Sequence, residues 1–385
     1  GETTDNILEI SLVANPIMHH LVLGINPINL GGAPFALTVD EAVTLRARDL
    51  GLDTHNQARL FVLPCIAGHV GADTAGVILA ESPDTDDAMS LIVDVGTNAE
   101  IVLGNKDRLL VCSSPTGPAF EGGEISAGQR ATAGAIERVR IDRETLEPKF
   151  RVIGSELWSN DAGFSESTRD LNITGICGSG IIEVIAEMFL AGIISEDGIV
   201  DGALAERTSR VRAHGRTWSY VLHFAEDESQ RDIVVTQNDV RQIQLAKAAL
   251  YAGIKLLMDK MGVSAVDRIR LAGAFGSHIS VEHAMVLGLI PDCMLDHVSS
   301  AGNAAGVGAR IALLDHDARD SIQRTVNKAE RIETATETDF QDYFVAAMAI
   351  PHKSDPFSHL FSVIERPAQK ASDALEAPRR RRRRG

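Results

Sequence analysis

The chain of 385 residues carries a formal net charge of −16, and 44% of its residues are apolar while only 4% are aromatic. This length allows two or three domains with sizeable cores, whereas the acidic surface and the scarce aromatic residues argue against binding to nucleic acid or anionic lipid. The sequence lacks a signal peptide and any run of 18 apolar residues, and the spacing of its four cysteines matches no zinc or iron–sulfur pattern. We therefore expect a cytoplasmic protein with reduced cysteines and no membrane partner.

The first part of the chain is predicted to alternate between strands and helices. Apolar runs predict strands over 7–13 and 60–66. Helical spacing of apolar residues predicts a helix over 16–23, and a capping pattern that begins at Thr38 predicts another over 38–50. Because the chain opens directly before a strand-like segment, we expect it to be a piece of a longer protein.

Two adjacent histidines, His19 and His20, lie in the first predicted helix. Neighbouring residues on a helix do not face each other, so we expect the two rings to point apart and not to share a metal ion. A place in the core or at the surface is therefore the favoured interpretation for both.

A glycine turn then precedes a predicted helix with Asp73 in its first turn. A carboxylate there is favoured by the helix dipole, and it is equally a candidate catalytic group. The acidic, proline-containing segment 81–88 follows, and we interpret it as a boundary between lobes.

The most informative segment is 91–104, in which a polar turn separates two apolar runs and predicts a hairpin. Asp94 ends the first strand and is a candidate Mg²⁺ ligand. Gly96 removes a Cβ that would keep phosphate from backbone N–H groups, and Thr97 and Asn98 add side-chain donors. The alternative is an ordinary hairpin turn, since such turns favour the same residue types.

Residues 112–134 form a glycine-rich loop in which Glu121 and Glu124 are the acids, and length without regular structure favours a functional loop. Strands are predicted over 136–141 and 151–153. The glycines of 175–180 precede an apolar helix and form a candidate anion site, or Ser179 is simply the N-cap of that helix.

The last third continues the alternation. Asn238 is predicted to cap a long helix that ends at Gly262, and a strand over 268–272 leads into a second glycine turn, 273–277. A helix is predicted over 339–348, everything after Phe361 is expected to be disordered, and the run of arginines over 379–384 reads as a solvated basic tail.

Several segments together resemble the reductive activators of corrinoid-dependent enzymes. The resemblance rests on the residues of 14–27, the Asp94 turn, Gly117-Pro118-Ala119-Phe120-Glu121-Gly122, Gly175 to Gly180, and Leu271-Ala272-Gly273-Ala274-Phe275-Gly276. These segments follow one another in the family's order and span residues 7–360.

The resemblance implies an α/β fold with two lobes, the actin-like ATPase fold of acetate and sugar kinases, heat-shock ATPases and actin, with ATP and Mg²⁺ in the cleft. It implies that the Asp94 turn is a phosphate motif, that Asp94 binds Mg²⁺, and that Glu121 or Asp73 positions water. Cofactor-binding residues would be Gly96, Thr97, Asn98, Gly175, Gly178, Ser179, Gly180, Gly273, Ala274 and Gly276. The expected domains are 1–90 (the rest of a first lobe that is incomplete), 91–330 (second lobe), 331–365 (a helical segment that packs back) and 366–385 (basic tail).

The implied function is ATP-dependent reduction of a corrinoid protein of a methyltransferase system, from cob(II) to cob(I), by a homodimer. Family members carry an earlier phosphate hairpin and an N-terminal 2Fe–2S domain, and this sequence contains neither. We therefore expect a 2Fe–2S cluster only in a missing domain. Two alternatives stay open, a non-catalytic docking module for a corrinoid protein and a small-molecule kinase of the same superfamily.

Overall fold

The computed structural model describes residues 3–225, 231–276 and 278–367, and for residues 274 and 275 it describes the backbone alone. Most of the predicted basic tail (366–385) lies outside the described residues, from residue 368 onward. No helix in the described ranges is long and apolar enough to cross a bilayer.

The described residues form fourteen strands and eleven α-helices. The strands are β1 (Glu9–Leu12), β2 (Val43–Arg46), β3 (Arg59–Val62), β4 (Ser90–Val95), β5 (Ala99–Gly104), β6 (Leu109–Ser114), β7 (Ile136–Ile141), β8 (Pro148–Val152), β9 (Val211–His214), β10 (Thr217–His223), β11 (Ile233–Thr236), β12 (Arg268–Ala272), β13 (Val298–Gly302) and β14 (Glu330–Arg331). The helices are α1 (Pro16–Val22), α2 (Ala72–Glu81), α3 (Phe164–Ser167), α4 (Gly178–Leu190), α5 (Gln237–Met261), α6 (Gly273–Gly276), α7 (Val281–Leu287), α8 (Ala304–Leu314), α9 (His316–Lys328), α10 (Phe340–Ala346) and α11 (Leu360–Val363).

A six-stranded mixed sheet in the order β13-β12-β4-β5-β6-β14 forms the centre of the molecule. Strands β4, β5 and β6 make an antiparallel meander, while β12 runs parallel to β4 and β13 runs parallel to β12. Because side chains alternate along a strand, Leu91 and Val93 face the large core that includes α4 and α5, whereas Ile92 faces a second core that includes α2. Both faces of the sheet are therefore covered.

A smaller sheet in the order β1-β3-β2 forms the first part of the chain. Strands β1 and β3 are parallel, so their carboxyl ends lie at one edge, where α1 and α2 begin. The other strands form the hairpin β7–β8, on which α4 packs, and the antiparallel sheet β9–β11.

Helix α2 joins the two parts of the molecule by packing on α8. A Cβ on Gly308 would overlap the carbonyl oxygen of Gly76, and a Cβ on Gly76 would lie 2.9 Å from the carbonyl oxygen of Ala305. The two backbones touch, so neither glycine can be exchanged for a larger residue without moving a helix.

The last described segment packs back on α5 through buried polar contacts. The Lys247 ammonium donates hydrogen bonds to the carbonyl oxygens of Ala349 and Pro351, the latter at 2.6 Å, and the Tyr251 hydroxyl donates to Asp355 at 2.7 Å. Burial lowers the pKa of Lys247 well below its ordinary value.

The hairpin over 91–104, the strand over 136–141 and the strand over 268–272 are confirmed. The helix predicted over 38–50 is wrong: β2 pairs antiparallel with β3, and a short 3₁₀ helix, Ala47–Leu50, follows. The capping pattern reflects neighbouring residues only, whereas β2 is stabilised by pairing with β3, about fifteen residues further along the chain.

Two smaller predictions also need correction. The long helix is capped by Thr236 rather than Asn238, because Thr236 and Asp239 form a reciprocal capping box. Residues 362–367, predicted to be disordered, make contacts with the rest of the chain. Helix α11 reaches Val363 and buries Leu360, and Arg366 donates to Glu196 at 2.9 Å.

The two histidines of α1 are both fully buried, which confirms the core interpretation. Their rings do not point apart, because the two Nδ1 atoms lie 3.4 Å from each other. His20 Nδ1 also lies 2.9 Å from the carbonyl oxygen of Pro16, which draws that ring inward along the helix. Burial, and then the neighbouring His20, lower the pKa of His19 to about 4.

The α2–α8 contact yields a first prediction. Substitution Gly308→Ala should lower the free energy of unfolding by about 1–3 kcal/mol, because the added methyl meets backbone that must shift. Urea denaturation measures the change. Gly31→Ala is the control, because a Cβ at Gly31 meets nothing within 4 Å; equal stability of the two variants would contradict the contact.

Candidate functional site

The candidate site lies where β4 and β12 end side by side. Asp94 on β4 is paired in register with Ala272 on β12, and Gly273 follows at once with a φ of +85°. A Cβ on Gly273 would overlap the Oδ1 atom of Asp94. Glycine is therefore required here twice, for its backbone conformation and for the approach of the carboxylate.

The turn after β4 is exposed, and hydrogen bonds to its backbone hold it in place. Thr97 and Asn98 are exposed, while the Gly96 N–H donates to the carbonyl oxygen of Asn98 at 3.0 Å. The Thr116 hydroxyl donates to the carbonyl oxygen of Gly96 at 2.9 Å. This bracing fixes the turn and leaves the side chains of Thr97 and Asn98 at the surface.

Glu121 lies beside this turn, in a short 3₁₀ helix, Pro118–Glu121. Its Oε1 atom accepts a hydrogen bond from the Thr97 hydroxyl at 2.9 Å. The structure therefore brings Glu121 to the predicted phosphate turn, and its role in positioning water stays a prediction.

Asp73 reaches the site from the first part of the chain, at the second position of α2. Its Oδ1 atom accepts from the Thr74 N–H at 2.9 Å. A Cβ on the preceding Gly71 would lie 2.7 Å from that oxygen and 2.7 Å from the carbonyl oxygen of Ala14, just beyond β1. The carboxyl end of β1 and the start of α2 are thus in contact.

Glu100 is a third carboxyl group of this site, and the sequence reasoning missed it. It lies directly opposite Asp94 in the β4–β5 register and accepts a hydrogen bond from the Ser113 hydroxyl at 3.3 Å. Two signals were available: the hairpin register, which places a residue opposite Asp94, and an acid inside an otherwise apolar strand.

The three carboxyl groups influence one another. Burial, and then the charge of Asp73, raise the pKa of Asp94 to about 6. Burial, followed by Asp73 and Asp94, raises the pKa of Glu100 to about 8, and burial raises the pKa of Asp73. A cation bound here would relieve this unfavourable crowding of negative charge.

The carboxyl groups do not form a ready-made metal cage. Within the described ranges, no group of three or more His, Cys, Asp or Glu side chains is placed to hold one metal ion. A single carboxylate is nevertheless a common protein ligand of Mg²⁺ bound together with phosphate, so Asp94 fits that role.

The predicted segment Gly175 to Gly180 is tightly packed against the loop before β7. A Cβ on Gly175 would lie 2.6 Å from the carbonyl oxygen of Ala127, and a Cβ on Gly180 would overlap that of Ile136. The Ser179 hydroxyl donates to the carbonyl oxygen of Glu137 at 3.2 Å, and Cys177 rather than Ser179 is the N-cap of α4. Packing explains why Gly175 and Gly180 are glycines, and the hydrogen bond to Glu137 explains Ser179. Contact of this segment, including Gly178, with a ligand stays a prediction.

The second predicted glycine segment forms α6. A Cβ on Gly276 would lie 2.7 Å from the backbone of Leu271, so the turn folds back tightly on β12. An apolar cavity of about 10 Å³ lies behind it, lined in part by Val95, Gly276 and Ile279. This space holds at most one water molecule and is too small for a nucleoside. The side chain of Ala274 lies outside the described atoms.

Comparison with known families agrees with this architecture. Residues 88–361 match a family model described as the C-terminal domain of RACo, the ASKHA domain, and residues 1–85 match the RACo middle region. A solved structure described as a reductive activator for a corrinoid, iron-sulfur protein superposes with a TM-score of 0.79 at 32% identity, over 93% of this chain and 55% of that chain. The actin-like fold predicted from the sequence is confirmed.

Two curated proteins are similar over most of the chain. Identity is 34% over 350 residues to the corrinoid activation enzyme RamQ of Eubacterium limosum, covering 89% of this chain and 56% of that protein. It is 25% over 306 residues to the Co(II) methylated amine-specific corrinoid protein reductase of Methanosarcina barkeri, covering 76% and 52%. The chain thus spans about half the length of the relatives it matches.

The raised pKa of Glu100 yields a second prediction. Between pH about 4.5 and 8 the native state binds this proton and the unfolded chain does not, so the free energy of unfolding falls as pH rises through that window. Glu100→Gln removes this dependence, and the variant should gain stability relative to the parent from pH 5 to 9. Urea denaturation without divalent cations measures it, with the exposed Glu144→Gln as control; parallel pH curves for parent and Glu100→Gln would contradict the raised pKa.

Proposed function

We propose, because this chain belongs to the RACo family of reductive activators, that it is the part of such an activator that binds ATP with Mg²⁺ and uses the binding to drive reduction of a corrinoid protein. One observation carries the proposal: the Asp94 carboxylate and the Gly273 turn meet at the carboxyl ends of two neighbouring parallel strands. In open α/β sheets, ligands collect at such strand ends.

The residues of the site divide between the two ends of a nucleotide. Thr97 and Asn98 are exposed and would offer donors to phosphate oxygens, and Asp94 would hold the metal ion. The Gly273 turn would take the nucleoside. When bound, Mg²⁺ supplies positive charge for the phosphates and for the crowded carboxyl groups.

The reaction explains why a nucleotide would be needed. Reduction of cobalt(II) to cobalt(I) is uphill with ordinary electron donors, and a gap of about 200 mV corresponds to roughly 4–5 kcal/mol for one electron. Nucleotide can offset this only if it binds one arrangement of the lobes more tightly than another, by about a thousandfold. Asp73 belongs to the first part of the chain and Asp94 to the second, so their interaction would change with the arrangement of the lobes.

The proposed activator also needs an electron donor and a corrinoid partner. The electron donor would be a 2Fe–2S group outside residues 1–385, since the four free cysteines are not brought together as a ligand set in the described part of the chain. The partner would be the corrinoid protein of a methyltransferase system, and the activator would act in the cytoplasm as a homodimer. Residues 1–90, 91–330 and 331–365 would form the remainder of the first lobe, the nucleotide lobe and a segment that supports it.

Removal of one carboxylate tests this proposal. Asp94→Ala should weaken Mg²⁺-dependent ATP binding at least about tenfold, because the proposed metal ligand is lost. Isothermal titration calorimetry with and without Mg²⁺ measures the change. Asp107→Ala, in the exposed turn at the far end of β5, is the matched control, and equal ATP affinity of Asp94→Ala and the parent would remove Asp94 from the site.

A further inference from the structure

A chain of buried hydrogen bonds runs from α4 to the segment that follows the Gly273 turn. His283 Nε2 lies 2.8 Å from Glu187 Oε1, and His283 Nδ1 lies 2.7 Å from the Ser280 hydroxyl. His283 is only 1% exposed and Glu187 8% exposed. These contacts take no part in the site described above.

The direction of the hydrogen bonds follows from chemistry. Because a carboxylate only accepts, the contact with Glu187 selects the imidazole tautomer with its proton on Nε2, and Nδ1 of that tautomer accepts. The Ser280 hydroxyl must then donate to Nδ1, and its oxygen caps α7 by accepting from the His283 N–H at 3.4 Å. Both the donor and the acceptor side of the hydroxyl are thereby fixed.

Glu187 is itself held in place from the opposite side. Its Oε2 atom accepts from the Ile141 N–H at 3.0 Å, and Arg140 lies 3.8 Å from its Oε1. One turn earlier on α4, the fully buried Glu183 binds Arg138 and Arg140. The carboxylate that orients His283 is therefore held by β7, and its position does not depend on that of α7.

The residues on either side of this hydrogen-bonded pair pack behind the Gly273 turn. Ile279, immediately before Ser280, lines the small apolar cavity together with Gly276 and Val95, and Ala284 of α7 lines it too. Val95 directly follows Asp94. A change in the position of Ser280 would therefore move the contacts under the Gly273 turn.

We propose that His283 is a positioning residue for the nucleoside end of a bound nucleotide: held by Glu187, it fixes Ser280 and thereby the backbone of the Gly273 turn. This inference rests on the proposed function. It separates the two ends of the nucleotide, because the phosphates are assigned to the turn over 96–98, whose side-chain hydrogen bonds involve Thr116 and Glu121 rather than Ser280 or His283.

The test compares ATP with inorganic tripolyphosphate, both with Mg²⁺, by titration calorimetry on the whole chain. His283→Ala and Ser280→Ala should each weaken ATP binding about tenfold, the effect of one lost buried hydrogen bond, and leave tripolyphosphate binding unchanged. Ser280→Thr keeps a hydroxyl and should restore ATP binding, and the unchanged binding of tripolyphosphate is the result that a general loss of structure would not predict.

Tyr220→Phe is the matched control, because it removes another buried hydrogen bond of this lobe, to the carbonyl oxygen of Leu146, and neither Tyr220 nor its chain neighbours line the cavity. It should lower stability without changing ATP affinity. The inference is overturned if ATP affinity of Ser280→Ala stays within about twofold of the parent, or if tripolyphosphate affinity falls equally. A parent chain that binds no ATP would instead overturn the proposed function, and this inference with it.

Discussion

The contact between Gly76 and Gly308 determines how the two parts of the chain meet. Packed helices are ordinarily 8–10 Å apart because side chains lie between them. Here the backbones of the two helices are in contact. Side chains larger than glycine at positions 76 and 308 would force α2 and α8 further apart. Asp73 is one turn before Gly76 on the same helix, and its position relative to Asp94 therefore depends on this contact.

The site follows from where the strands end. Strands β4 and β12 are parallel neighbours inside a sheet that is covered on both faces, so their carboxyl ends open at one edge. Asp94 and Glu100 continue the face that Ile92 and Val102 begin, and this face is covered by α2. The same alternation that buries apolar residues in the middle of the sheet brings carboxyl groups together at its end.

Local patterns in the sequence predicted the parts of this site that depend on local structure. The hairpin over 91–104 and the Gly273 turn are specified by residues next to one another, and both were predicted. The failures are non-local: residues 38–50 carry a helix-capping pattern, but pairing of β2 with β3 prevails. His283 and Glu187 are 96 positions apart, and no pattern within either helix indicates that they meet.

Glu100 is an intermediate case, because its position could have been derived from the predicted hairpin. Its consequence is electrostatic. Asp73 comes from the first part of the chain and Asp94 and Glu100 from the second, so an arrangement that brings the parts together also brings negative charges together in a poorly solvated place. Without a cation this crowding would oppose closure, and under the proposed function a metal–nucleotide complex at Asp94 would remove the opposition. Such a ligand would bind a closed arrangement more tightly than an open one, which is the differential affinity that any nucleotide-driven change of conformation requires.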